Sequence, residues 1–121
     1  AAGEPDGVYL SCFTGDCKGA TFTHELGHNA GLMHNIEIAP GNGVFPYSRG
    51  AFFKGTDQKE YYTIMAYGTK DPNLVNWESD AVRVDKFTGT STMHAGAPTG
   101  SATADSVKSL QQILPIMSKY R

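Results

Sequence analysis

His24-Glu25-Leu26-Gly27-His28-Asn29-Ala30-Gly31-Leu32-Met33-His34 gathers three imidazoles and one carboxylate into a single short stretch. Residues four apart on an α-helix differ by roughly 40° in direction, so His24 and His28 leave one face, a turn apart. Both Nε2 atoms can then reach one ion at about 2.0–2.1 Å, the distance zinc takes to an imidazole nitrogen. A continuing helix could not also aim His34 at that ion, so the chain must bend sharply between His28 and His34. Gly31 stands where the bend is needed, and glycine enters the left-handed region without a Cβ clash. Three neutral nitrogen ligands leave the fourth tetrahedral position open to water, which makes the expected zinc site hydrolytic rather than structural. Glu25, beside the first ligand, is predicted to face that water as its general base. A bare H-E-x-x-H match recurs by chance, but Gly31 and His34 at their offsets make this one specific. Three of the four histidines in the chain fall within the stretch.

A second match lies downstream, in Thr63-Ile64-Met65-Ala66-Tyr67-Gly68. Together the two resemble the metzincin metallopeptidases, whose signature is H-E-x-x-H-x-x-G-x-x-H followed by a methionine-bearing turn. The resemblance implies that Met65 forms an apolar floor beneath the three imidazoles. Read alone, Met65 is a core methionine filling a gap, and physically the two roles nearly coincide. In astacin-like and serralysin-like metzincins the tyrosine two residues after the methionine approaches the metal. The resemblance therefore implies that Tyr67 helps hold the transition state, whereas read alone it is a half-buried tyrosine with a hydrogen-bonded hydroxyl.

Gly27-His28-Asn29 resembles the reprolysin branch of the metzincins. Tyr9-Leu10-Ser11-Cys12, Thr21-Phe22-Thr23-His24 and Gly96-Ala97-Pro98-Thr99-Gly100 before Ala104-Asp105 are similar to bacterial reprolysin-like enzymes of the peptidyl-aspartate metalloendopeptidase type. Asn35 departs from the pattern, because reprolysins usually carry aspartate after the third histidine. Asparagine keeps the hydrogen-bonding shape and loses the charge, which predicts weaker support of the site with the ligand set untouched.

The resemblance implies an α+β, zincin-like metzincin catalytic domain. Such domains place most of a twisted sheet and a long helix before the zinc helix, yet only twenty-three residues precede His24. Val8 to Phe13 can supply one strand. Residues 1–121 are therefore expected to be a single catalytic domain whose N-terminal sheet is largely missing, leaving the zinc helix, the Met-turn and a C-terminal helix. In the family an edge strand of that sheet aligns the substrate. An N-terminal chain of the same enzyme is accordingly an expected partner, beside a peptide or protein substrate.

The 121 residues suit one domain. A net charge of −2 with both signs interspersed argues against nucleic acid or a polybasic membrane contact. No apolar run approaches membrane-spanning length, and Ala1 to Gly7 carries no signal peptide. The chain starts without methionine, as a processed or excised chain would. Thr21 and Thr23 offer N-cap hydroxyls to the zinc helix. Pro40 to Gly43 reads as a turn, Phe45 to Phe53 as a short extended segment, and Lys54 to Glu60 as a polar loop. Tyr61 to Ile64 is strand-like and feeds the Met-turn. Asp71 to Asp80 reads as a loop, Val82 to Phe87 as a half-exposed strand, and Gly89 to Gly100 as another loop. From Ala104, Val107, Leu110, Leu114 and Met117 recur at helical spacing, with Pro115 expected to kink or interrupt that helix.

Cys12 and Cys17 are the only cysteines. They are read as a disulfide closing a short loop, worth at most about 2 kcal/mol, or as two thiols lending ligands to a metal. The complete three-histidine set favours the disulfide, and with it a secreted, extracellular setting. The function implied is a zinc-dependent metalloendopeptidase with Zn2+ on His24, His28 and His34, and Glu25 and Tyr67 as catalytic groups. Two rivals stay open: a zinc-binding fragment without proteolytic activity, and an interaction module that retains the motif. Lys70, Arg83 and Lys86 could each furnish a basic specificity pocket. Asp71, Asn73, Glu78 and Asp80 could hold calcium but more often form a polar loop. His94 has no motif around it and reads as a surface or loop histidine.

Overall fold

Helix α1 (Ala20–Asn29) carries His24 and His28 one turn apart. The computed structural model describes residues 20–77 and 80–117. The strand expected at Val8 to Phe13, the cysteines Cys12 and Cys17, and Glu78 lie outside the described residues. Thr21 and Thr23, expected to cap α1, sit inside it, because the helix is already formed at Ala20. A capping residue needs non-helical backbone angles, which a position within the helix does not have.

The far end of α1 closes as the sequence predicts. Gly31 is left-handed, with φ 89°. Its N–H donates to the His28 carbonyl at 2.9 Å, and the Leu32 N–H donates to the Gly27 carbonyl at 2.9 Å. These two bonds satisfy helix-end carbonyls that would otherwise be orphaned. A Cβ at Gly31 would also lie 2.6 Å from the Val44 Cβ. Met33 then forms a parallel bridge to Arg49, so His34 is led back beside the helix it has just left. The loop between them is stapled from within: the Arg49 guanidinium donates to the carbonyls of Ala39 (2.8 Å) and Gly41 (2.7 Å).

The extended segment expected at Phe45 to Phe53 begins later. Ser48 folds back on Phe45 through an N–H to its carbonyl at 3.0 Å, and its Oγ accepts from the Phe45 N–H at 2.9 Å. Pro46, which has no N–H to give a ladder, suits that turn. Strand β1 (Phe52–Lys54) follows and pairs antiparallel with β2 (Glu60–Tyr62). Phe52 faces Tyr62 and Phe53 faces Tyr61, each with ring centroids 5.5 Å apart, the cross-strand contacts that stabilise so short a ladder. Strand β3 (Val82–Arg83) adds in parallel on the other side of β2. It is shorter than the expected Val82 to Phe87. The Lys86 N–H donates to the Val84 carbonyl at 2.8 Å, a tight turn that ends the strand and sends Val84 and Phe87 into the core.

The stretch Gly89 to Gly100, expected as loop, contains a hairpin of β4 (Met93–His94) and β5 (Ala97–Pro98). It turns on Ala95 (φ 51°) and Gly96 (φ 77°). Two positive φ values in a row are normally announced by Asn-Gly, and alanine in the first place hides the signal. Helix α2 (Ser106–Met117) starts two residues after the expected Ala104. Asp105 is its N-cap, accepting from the Lys108 N–H at 3.0 Å. The helix is not interrupted at Pro115 but continues to Met117.

Together these elements form a small α+β arrangement. Its core joins Ala30 and Leu32 after α1, Ile64 and Met65, Phe87, and Leu110 and Leu114 of α2. A buried polar seam runs beside it. The hydroxyls of Thr88 and Ser106 both donate to the Arg49 carbonyl, at 2.7 and 3.0 Å, and those of Ser48 and Ser109 meet at 2.6 Å. Among the described residues no helix is long and apolar enough to cross a membrane. Asp105→Ala is expected to lower stability by about 1 kcal/mol, the usual cost of a lost N-cap, read as an earlier midpoint with unchanged slope in urea unfolding.

Candidate metal centre

His24 and His28 come from α1, and His34 from the segment that the Gly31 cap turns back. The structure brings the three together. Their Nε2 atoms lie 3.1 Å apart for His24 and His28, 3.2 Å for His24 and His34, and 2.9 Å for His28 and His34. Nitrogens on a tetrahedral zinc ion at about 2.0–2.1 Å are separated by roughly 3.3 Å, so the triangle is close to ready-made. It is the one group of its kind among the described residues.

Proton placement makes the requirement for a cation explicit. His24 Nδ1 lies 2.6 Å from the Ile64 carbonyl oxygen, and His28 Nδ1 lies 2.9 Å from that of Leu32. A carbonyl only accepts, so both Nδ1 atoms carry the proton, and in a neutral imidazole the Nε2 atom then bears a lone pair. Neutral imidazoles held in this way turn both Nε2 lone pairs to the same point, where a cation can accept them. Burial, and then the neighbouring imidazoles of His28 and His24, push the His34 pKa down to about 4. It is neutral at physiological pH, as a metal requires. The donor set fits zinc.

Met65 packs against this helix at Gly27. It is fully buried in a turn closed by the Ala66 N–H donating to the Thr63 carbonyl at 3.0 Å. A Cβ at Gly27 would fall 2.5 Å from the Met65 Sδ, and one at Gly50 would fall 2.6 Å from the Met65 carbonyl carbon. The methionine therefore needs both glycines. Tyr67 stacks on the site from the other end of that turn, its ring centroid 4.0 Å from His34 and 6.4 Å from His24. Glu25 is exposed on α1, directly after the first ligand.

Asn35 is fully buried and links the third ligand to the turn. Its Oδ1 accepts from the Tyr67 N–H at 3.0 Å, and its Nδ2 donates to the Thr69 carbonyl at 3.1 Å and to Glu37 Oε1 at 2.9 Å. A carboxylate could accept from Tyr67 but could make neither of the other two bonds. The amide is therefore fully used in this chain.

A cleft of about 230 Å³ opens beside His24, lined by Tyr62, Ile64, Ala66, Tyr67, Gly68 and Arg83. Of the three basic residues considered from sequence, Arg83 is the one that reaches it. Lys70 pairs with Glu60 at 2.9 Å, and Lys86 donates to the Met93 carbonyl at 2.9 Å. His94 is packed edge-on against Tyr61, centroids 4.9 Å apart, and does not belong to the histidine group. The Asp71 carboxylate accepts from the N–H groups of Asn73 (2.9 Å) and Asn76 (3.0 Å), bonds that hold its pKa below the ordinary value. It stitches its own loop together. Sequence reasoning missed Arg49, Gly50 and Tyr62, which act only through partners distant in the chain.

A reprolysin-type family model, described as metallo-peptidase family M12, matches residues 11–78. No curated protein and no solved structure matches the chain.

One zinc ion per chain is expected on metal analysis, with His28→Ala losing it; stoichiometric zinc in that variant would refute the ligand set. Asn35→Asp should cost about 1–3 kcal/mol at neutral pH, because it leaves the buried Thr69 carbonyl without its donor and facing a carboxylate. Equal stability of the two proteins in urea would contradict that account.

Proposed function

The chain belongs to metallo-peptidase family M12, as a reprolysin-like metzincin, and on that premise we propose that it hydrolyses peptide bonds at a zinc ion held by His24, His28 and His34. One observation carries the reading: three imidazole nitrogens converge within 3.2 Å of one another, at least two with their lone pairs turned inward. A bound zinc ion supplies Lewis acidity to a carbonyl and acidity to a coordinated water. Glu25 takes the proton from the attacking water and returns it to the leaving amine. Its exposed position directly after His24 supports the role. The Tyr67 hydroxyl donates to the developing oxyanion, a role supported by the packing of its ring on His34.

The substrate is an extended peptide whose side chain enters the cleft beside His24. The working unit is one metallopeptidase domain of the bacterial reprolysin-like kind, acting outside the cell. Glu25→Gln should retain zinc and fold while turnover falls by at least about 10²-fold, measured on a mixed peptide library with zinc content determined in parallel. Near-normal turnover in the zinc-loaded variant would assign the base to another group. A zinc-loaded parent chain that cleaves no peptide would leave a zinc-binding module.

A further inference from the structure

The loop after Tyr67 is built the wrong way round for a solvated connection. The side chains of Thr69 and Asp71 are turned onto the loop's own backbone. The Thr69 hydroxyl is buried against the Asn76 carbonyl, the Asp71 N–H donates to Thr69 Oγ1 at 2.9 Å, and the Asp71 carboxylate takes the N–H groups of Asn73 and Asn76. The apolar side chains face outward instead: Leu74 is 42% exposed, Val75 73% and Trp77 57%. Leu74 holds a φ of 58°, a left-handed conformation unfavourable for leucine. A firmly stitched loop that displays three apolar side chains marks a contact surface.

Its position names the contact. Trp77 lies two ring contacts from a metal ligand, with its centroid 6.5 Å from that of Tyr67, which stacks at 4.0 Å on His34. Gly68 sits between Tyr62 and Trp77. A Cβ there would meet Tyr62 Oη at 3.1 Å and Trp77 Cε3 at 3.6 Å. Gly68, Tyr62 and Tyr67 also line the cleft beside His24, so the indole continues the wall of that cleft outward. Extended peptide advances roughly 3.3 Å per residue. A chain whose carbonyl sits at the three histidines therefore needs about two or three residues to bring a side chain over Trp77, whose ring lies beyond that of Tyr67.

We propose that Trp77 is a specificity-determining residue, a ledge on which a bulky apolar or aromatic side chain of the bound peptide packs. This rests on the reading of the three-histidine site as a peptidase centre. The occupant follows from continuity with the cleft and from the apolar character of the display. An aromatic side chain laid on an exposed indole gains buried area and a favourable ring–ring contact.

Trp77 is the only tryptophan in the chain, so intrinsic fluorescence reads the ledge directly. The zinc-loaded chain is titrated with two peptide hydroxamates that differ only in carrying glycine or phenylalanine at the second and third residues beyond the metal-binding end. Both should bind. The phenylalanine probe should bind about ten-fold tighter and change the tryptophan emission, while the glycine probe leaves it nearly unmoved. Trp77→Ala should abolish the preference and keep the affinity for the glycine probe, and Trp77→Phe should restore part of the preference. Equal affinities with unaltered emission, or a preference that survives Trp77→Ala, would overturn the ledge while leaving the peptidase centre standing. Failure of both hydroxamates to bind would overturn the peptidase centre and the ledge with it. Emission already characteristic of a buried indole, in a chain that light scattering shows to be dimeric, would give the surface to a second copy and refute the proposal.

Discussion

Nitrogen lone pairs aimed at a common point repel one another, and the fold around the three histidines is organised to hold them there. The holding is done by two backbone carbonyls. Leu32 fixes His28 through Nδ1, and Ile64 fixes His24 in the same way. Each carbonyl belongs to a segment with its own reason to be in place. Leu32 is the first residue past the Gly31 cap, and its N–H is already committed to Gly27. Ile64 opens the turn that buries Met65. Helix end and turn are thus tied to the orientation of the imidazole rings, which is where the arrangement outside a ligand set tunes a metal site.

Close approach, more than buried area, governs how the turn meets the helix. Met65 lies between Gly27 on one side and Gly50 on the other, and neither position has room for a Cβ. Gly50 in turn follows Arg49, whose carbonyl receives the hydroxyls of Thr88 and Ser106 and whose guanidinium holds the loop carbonyls of Ala39 and Gly41. A single buried residue therefore connects the loop behind His34, the floor of the site and the start of α2. Asn35 makes the complementary link, from the third ligand to Tyr67 and Thr69.

What the sequence could disclose follows the range of the interactions. The histidine spacing and the glycine bend are local patterns: the three imidazoles converge and Gly31 is left-handed. The periodic face of α2 was legible for the same reason, with Leu110 and Leu114 buried. The hairpin at Met93 to Pro98 was not, because Ala95 occupies a conformation that sequence assigns to asparagine or glycine. Strand limits were misread where a side chain or a tight turn competes with the ladder, as Ser48 does before β1 and Lys86 does after β3. The use of the Asn35 amide could not be read either. Its three partners sit 2, 32 and 34 residues away, and only the folded chain shows that a second donor is needed.

Among the described residues the regular elements are few, and strands of two or three residues contribute little ladder energy. Side-chain bonds to backbone take their place, through Ser48, Arg49, Thr63, Thr69, Thr88, Thr99 and Ser106, every one of them buried. Such bonds have a small net value when made and a larger cost when broken, so the fold is specific without being strongly stabilised by them. Neutral imidazoles turned to one point add a repulsive contribution to this background. A cation that removes it binds the folded state alone, and its contribution grows with the free metal concentration, by about 2.7 kcal/mol at a hundred times the dissociation constant. Metal occupancy and the integrity of the polar seam are therefore two views of one equilibrium: loosening the seam weakens metal binding even where no ligand is touched, and saturating metal masks the loosening.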